Sequence, residues 1–134
     1  MSAEMAVRGA VMAALKGDKA LMASLNALFD GEPGRATLPY GVVGECLGAD
    51  WGGKDVEGRE VRLTIGLYEG SETPDRLAGM IGRVDPAIAL VEPVGYWRIV
   101  TARLARSRVM RGGGRQPAGW QALIDYRIRA VREA

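Results

Sequence analysis

From Glu60 to Tyr68 the chain alternates without a break: Val61, Leu63, Ile65 and Leu67 interleave with Arg62, Thr64, Gly66 and Tyr68. A period of two belongs to an extended strand with one buried face, and it excludes an amphipathic helix for this segment. The C-terminal segment repeats the pattern with Trp120, Ala122, Ile124, Tyr126 and Ile128. Residues 96–110 read as a long strand, and residues 40–47 as a shorter one centred on Val42 and Val43. A turn over 111–119, with Gly112, Gly113, Gly114 and Pro117, joins the last two strands.

The remaining segments have helical periodicity. Ala3, Val7, Val11, Ala14 and Leu15 fall on one face, and Gly17 is placed to end that helix. Asp18 is an N-cap for a short second helix carrying Leu21, Leu25 and Leu28. A third helix starts at Thr73-Pro74, buries Leu77, Ile81 and Val84, and is expected to stop near Asp85 because Pro86 follows. The order is helix, helix, strand, strand, helix, strand, strand. Adjacent strands without crossover helices predict an α+β fold: a mostly antiparallel sheet of about four strands, with helices on one face and a projecting C-terminal β-hairpin. With 134 residues the expectation is one domain, 1–134.

Much chemistry is excluded by composition. The chain has no histidine, so Ser-His-Asp and Cys-His catalysis and His-ligated metals are ruled out. Its one cysteine, Cys46, allows no intrachain disulfide or thiolate cluster. The segment from Gly48 to Asp55 has the spacing of a phosphate-binding loop through Gly53-Lys54. It places Asp55 where Ser or Thr should hold magnesium, and it leads into a strand rather than a helix. The same loop clusters Asp50, Asp55, Glu57 and Glu60, which reads as polar loop composition rather than a catalytic or metal site. No catalytic residue, metal ligand or cofactor is expected. No apolar run approaches the ~20 residues of a membrane span, and Met-Ser-Ala-Glu-Met does not start a signal peptide, so a cytoplasmic product is the expectation.

Charge is distributed unevenly. Residues 1–97 hold nine basic and fourteen acidic side chains, a net −5, whereas residues 98–134 hold nine arginines and two acids, a net +7. Arg98, Arg103, Arg106, Arg108, Arg111 and Arg115 fall in a window, 93–124, with no acid at all. Arginine is the side chain suited to bidentate contacts with carboxylate or phosphate. Simple alternation puts Arg106 and Arg108 on the same strand face as Val100, Ala102 and Leu104. That phase predicts a strand that has outrun the core, with the outer half of the hairpin, about 106–119, projecting as an arm. The arm reads as a docking element, with a solvated basic hairpin and direct phosphate contact as alternatives. No aromatic lies between Trp97 and Trp120, so base stacking is not expected.

Taken together, the order of segments resembles the tail terminator (tail completion) proteins of long-tailed phages, in the version carried by gene transfer agents. The residues that carry the resemblance are the N-terminal helix from Met5 to Leu15 and the Leu38-Pro39-Tyr40-Gly-Val-Val-Gly-Glu45 lead-in to the first strand. The strand from Gly58 to Ile65, the late strand ending Ala105-Arg-Ser-Arg-Val109 and the glycine-rich turn also match. Asp85-Pro86 and the Gly112–Gly114 run depart from the family pattern.

The resemblance implies a structural protein, not an enzyme. It would form a hexameric ring at the head-proximal end of a tail tube, stop tube polymerisation and join the tail to head-completion proteins. DNA would pass through the channel without sequence-specific contact. The implied partners are further copies of the chain, the major tail tube protein and a head-completion (stopper or adaptor) protein, with no membrane. Assembly in the cytoplasm and incorporation into a phage-like particle follow. For such a ring, Trp51, Tyr68, Trp97 and Trp120 are expected as exposed interface anchors, beside Arg103, Arg106, Arg108, Arg111 and Arg115. Six arms lining a channel would grip DNA by counterion release, so the arm is expected to dock on an acidic patch of a neighbouring subunit or an adjacent ring. The runner-up is a small nucleic-acid-binding module using the arginine-rich hairpin; a third reading is a small enzyme using the 48–55 loop.

Overall fold

The computed structural model describes residues 1–93, 95–112 and 119–133. Its elements in order are α1 (Ala3–Lys16), α2 (Lys19–Ala23), β1 (Ala27–Asp30), β2 (Tyr40–Asp50), β3 (Gly58–Glu69), α3 (Asp75–Ile88), β4 (Trp97–Arg111) and β5 (Trp120–Arg132). The strands form one sheet in the order β1-β2-β3-β5-β4. The fold class is α+β, as the sequence predicts. The sheet has five strands rather than four and is mixed, because β1 pairs parallel to β2 over Tyr40–Val43. The other three pairings are antiparallel.

Of the alternating positions predicted for β3 and β5, all are buried except Trp120, which is half-buried. Val61, Leu63, Ile65 and Leu67 lie beside Ala122, Ile124, Tyr126 and Ile128 under the helices. α1 contributes Ala3, Ala6, Val7, Val11 and Leu15, and α3 contributes Leu77, Met80, Val84, Ala87 and Ile88. Ser2 caps α1 by accepting from the Met5 amide. Asp18 caps α2 as expected, accepting from the Leu21 amide at 2.9 Å, and its other oxygen takes Arg83 of α3 at 2.7 Å. Among the described residues no helix lies on the opposite, outer face of the sheet.

Three readings of the elements need correction. The second helix ends at Ala23, and Leu28 lies in β1. The connection 24–26 is tied by Asn26, whose amide side chain donates to the carbonyls of Thr37 and Leu38, so the chain can turn into an edge strand. α3 begins after Pro74 and runs through Pro86 to Ile88. Asp85 is held there by the Tyr126 hydroxyl, which donates to it at 2.7 Å, so α3 is anchored to the sheet on the turn that the proline would otherwise loosen.

The third correction concerns the hairpin, whose described part does not project. β5 pairs with β3 along the whole length of β3, from Gly58↔Val131 to Glu69↔Trp120, and β4 pairs with β5 from Trp97 to Arg111. From Arg106 to Arg111 the supposed arm is an edge strand of the body; residues 113–118 lie outside the described residues. Gly112 donates to the Gly119 carbonyl to close it at 2.8 Å.

Candidate functional site

β4 breaks the simple alternation twice. Val100 and Ala105 have no partner in the register, which steps from Ile99 to Thr101 and from Leu104 to Arg106. Each is a bulge, and a bulge residue shifts every later side chain to the other face. Ala102 and Leu104 pair with Ile128 and Tyr126 on the helix side. Past Ala105 that side is taken by Ser107 and Val109, opposite Ile124 and Ala122. Arg106 and Arg108 pair with Asp125 and Leu123 and so lie on the outer face. The predicted continuation of Val100, Ala102 and Leu104 into Arg106 and Arg108 is therefore wrong, and the cause is one inserted residue.

The outer face collects more arginine than the C-terminal window suggested. Arg103 pairs with Arg127, and Arg127 pairs with Arg62, so three guanidinium side chains stand in one row across β4, β5 and β3. Like charges directly opposite one another destabilise a sheet. The neighbouring rows are partly neutralised. Glu60 accepts from Arg129 at 3.0 Å and lies 3.5 Å from Arg62, and the Arg129 hydrogen bond holds Glu60 below the usual carboxylate range. Asp125 takes Arg106 at 2.7 Å and the Thr64 hydroxyl. Burial alone would raise the Asp125 pKa, but hydrogen bonds from Thr64 and Arg106, with Arg108 nearby, bring it below the normal value. Arg103 and Arg108 are exposed and make no hydrogen bond or ion pair among the described residues.

The expected anchors divide. Trp51 is 37 % exposed and folds back over the Arg129 guanidinium, 5.1 Å from its ring centroid. Tyr68 is on the outer face but only half-buried there, stacked on Tyr40 with centroids 4.7 Å apart; burial, with smaller contributions from Glu32 and Tyr40, raises its phenol pKa. Trp120 is half-buried, and its indole N–H donates to the Glu72 carbonyl at 3.0 Å. Arg111 stacks on that indole and donates to the same carbonyl, so it ties the end of β4 to the approach to α3. Trp97 is the anchor that the structure contradicts. It is 6 % exposed, sits in the core cluster and donates to the Met1 carbonyl, because position 97 falls on the helix side of the sheet. Arg115 lies outside the described residues, as do Gly113 and Gly114.

The loop carboxylates do not converge. Asp50 accepts from the Gly52 amide, Glu57 is 3.4 Å from Arg132, and Glu60 belongs to the outer face. Residues 48–58 run strand–loop–strand, so the phosphate-loop spacing has no helix N-terminus behind it. Cys46 is half-buried, with Arg8 donating to its sulfur at 3.3 Å; burial is the main reason its thiol pKa is raised. Among the described residues no group of three or more potential metal ligands comes together.

Sequence reasoning missed Arg62, Arg127 and Arg129 as members of the arginine face. The signal was present: each alternates with a core residue and so must point away from it. It also missed Val109, half-exposed on the helix side, because the bulge at Ala105 could not be seen; Leu104 was read on the core face and lies there, half-exposed.

The described residues thus form an α+β domain whose polar groups serve ion pairs and caps, with an arginine-bearing outer face and edge. The family model for tail completion protein gp17 matches residues 9–130. The chain belongs to that family, and its role is structural, in the tail of a phage or phage-like particle. A chain from the "Virion of native gene transfer agent (GTA) particle" is similar over 100 % of both chains, with TM-score 0.77 and 22 % identity. The "Structure of bacteriophage SPP1 gp17 protein" is similar over 94 % of this chain and 89 % of that one, with TM-score 0.60 and 18 % identity. At these identities the likeness is one of fold. No curated protein matches.

Proposed function

We propose that this chain is the tail terminator of a gene-transfer-agent-type particle. Copies form a hexameric ring on the head-proximal end of the tail tube, stop tube polymerisation and present a surface to a head-completion protein. The tail tube protein and the head-completion protein are its partners, and DNA passes through the ring without sequence-specific contact. The chain folds and assembles in the cytoplasm before joining the particle. The observation that carries this reading is the family match over nearly the whole chain, and the likeness to a chain of a gene transfer agent virion over its full length supports the particle type.

The residues proposed for contacts with neighbours are Trp51, Tyr68, Trp120, Arg103, Arg106, Arg108 and Arg111, with Arg115 in the turn. Trp97 is withdrawn from that set because it is spent on the core. Electron microscopy of the particle tests the reading: a closed ring of this chain at the head–tail junction is expected. Reversing Arg106 and Arg108 to glutamate should leave tails unjoined, whereas joined particles of normal tail length from that variant would overturn the role given to these arginines.

A further inference from the structure

The sheet has two open edges, and they are opposite in charge. β1 is four residues long and covers β2 only from Tyr40 to Val43. Beyond it, Arg8 of α1 donates to the carbonyls of Val43 and Gly44, and the rest of β2, to Asp50, has no neighbouring strand on that side. β1 and β2 together carry Asp30, Glu45 and Asp50 and no lysine or arginine; Arg8 is ion-paired with Asp30, so Glu45 and Asp50 are the acids this edge offers a partner. At the other edge β4 carries Arg98, Arg103, Arg106, Arg108 and Arg111 and no acid.

Direction and level agree with the charge. From β2 through β3 and β5 to β4 every step is antiparallel, so β2 and β4 run in opposite senses. A copy related by rotation about an axis along the strands would set its β2 antiparallel to β4, the better-bonded ladder. Glu45 lies in the bulge of β2 opposite Thr64, Thr64 pairs with Asp125, and Asp125 pairs with Arg106, so Glu45 and Arg106 stand at one level of the sheet. Both line the same outer-face groove, with Leu47 and Arg108.

The apolar surfaces agree as well. Leu104 and Val109 are about half exposed on the helix side of β4, where no helix among the described residues covers them. α1 runs over the open half of β2, with Glu4 against Gly48 and Arg8 against Gly44, and between them it exposes Met5 at 60 %. A β4 strand laid beside β2 at this level would bring Leu104, level with Cys46, beneath α1 of the next copy, whereas Val109 is level with Gly41 in the half that β1 covers; methionine adapts well to the Leu104 contact.

We infer that the partner of the arginine edge is a second copy of this chain: β4 of one copy adds to the open half of β2 of the next, head to tail. Arg103, Arg106 and Arg108 cluster around the level of Glu45 of β2, and Leu104 goes under the neighbouring α1. Such an interface is heterologous, uses a different patch on each side, and closes by rotation. This assignment rests on the ring reading above and names the surfaces that would make the ring. Edge arginines and bulges can also serve only to block strand pairing, and the experiment separates the two.

Variant X carries Glu45→Lys and Asp50→Lys; variant Y carries Arg103→Glu and Arg108→Glu. Either alone sets like charges across the junction, which should cut the yield of heads joined to tails about tenfold or more in cells that make the particle. Co-expressed, X and Y present complementary edges to each other, and joined particles containing both chains in equal amounts are expected. Arg103→Glu faces Arg127 and Arg108→Glu replaces an unpaired side chain, so Y should unfold thermally within a few degrees of the parent. The neutral pair Glu45→Gln with Arg103→Gln should give an intermediate yield. Normal yield from X or Y alone overturns the edge assignment, and so does failure of the co-expressed pair. Absence of any closed ring of the unaltered chain at the junction overturns the ring reading instead.

Discussion

Gly119 holds a backbone φ of +84°, and a Cβ there would lie 2.2 Å from the Glu69 carbonyl oxygen. Both the left-handed angle and the close approach to the end of β3 demand glycine. Gly119→Ala should therefore lower stability by about 1–3 kcal/mol, measured by denaturant unfolding. Tyr126 is the second residue with a measurable signature. Burial, with its hydrogen bond to Asp85, raises its phenol pKa well above the ordinary value near 10. Above that pH the unfolded chain loses this proton while the folded chain keeps it. The unfolded state then binds fewer protons, and stability falls as pH rises. Tyr126→Phe should cost about 1 kcal/mol at pH 7 through the lost hydrogen bond and should flatten the alkaline decline in Tm. Tyr68 also has a raised pKa and stays in place, so the decline should not vanish. Neither residue announced its role in the sequence. Gly119 was one glycine of a turn, and Tyr126 was one member of an alternating strand whose hydroxyl partner lies 41 positions away.

At the scale of elements, α2 depends on Asp18 twice, as its cap and as its tie to Arg83 of α3. The Arg83 hydrogen bond, followed by that from the Leu21 amide, lowers the Asp18 pKa. Its stabilising contribution is present above the unfolded value near 3.9 and is lost as pH falls through the depressed one. Asp18→Ala should lower Tm at pH 7, with the gap to the parent narrowing below about pH 4 in a melting series. The two central strands were legible because both obey strict alternation against a helix-covered face. β1 was not: Leu28 also fits a helical spacing, and the helix is ended early by Ser24, which donates to the Leu21 carbonyl, and by the Asn26 contacts to Thr37 and Leu38. The phase of β4 was not legible beyond Leu104, since a bulge is set by the ladder it interrupts. Arg106 and Arg108 were correctly singled out and placed on the wrong face for that reason.

For the whole molecule, the net charge of +2 conceals a dipole across the sheet, from the acids of β1 and β2 to the arginines of β4. Self-association through those edges should weaken as salt rises from about 0.05 to 0.5 M, since exposed pairs are screened over a Debye length of about 10 Å at 0.1 M. Sedimentation of the purified chain at high concentration, or retention of the chain on isolated tails, reads this directly. The family and the structural role were legible from the order of segments, while the matched edges needed the strand order, which places β4 beyond β5. The count of strands between the edges, β2, β3, β5 and β4, has a consequence of its own. Four is even. A relative with one strand more or fewer in that span would present edges running the same way, and its copies would have to meet as parallel neighbours or invert one of the pair. On the proposed edge pairing, growth of this architecture is thus restricted to whole hairpins in the middle of the sheet, and a strand outside it must stop short of the half of β2 that receives β4, as β1 does.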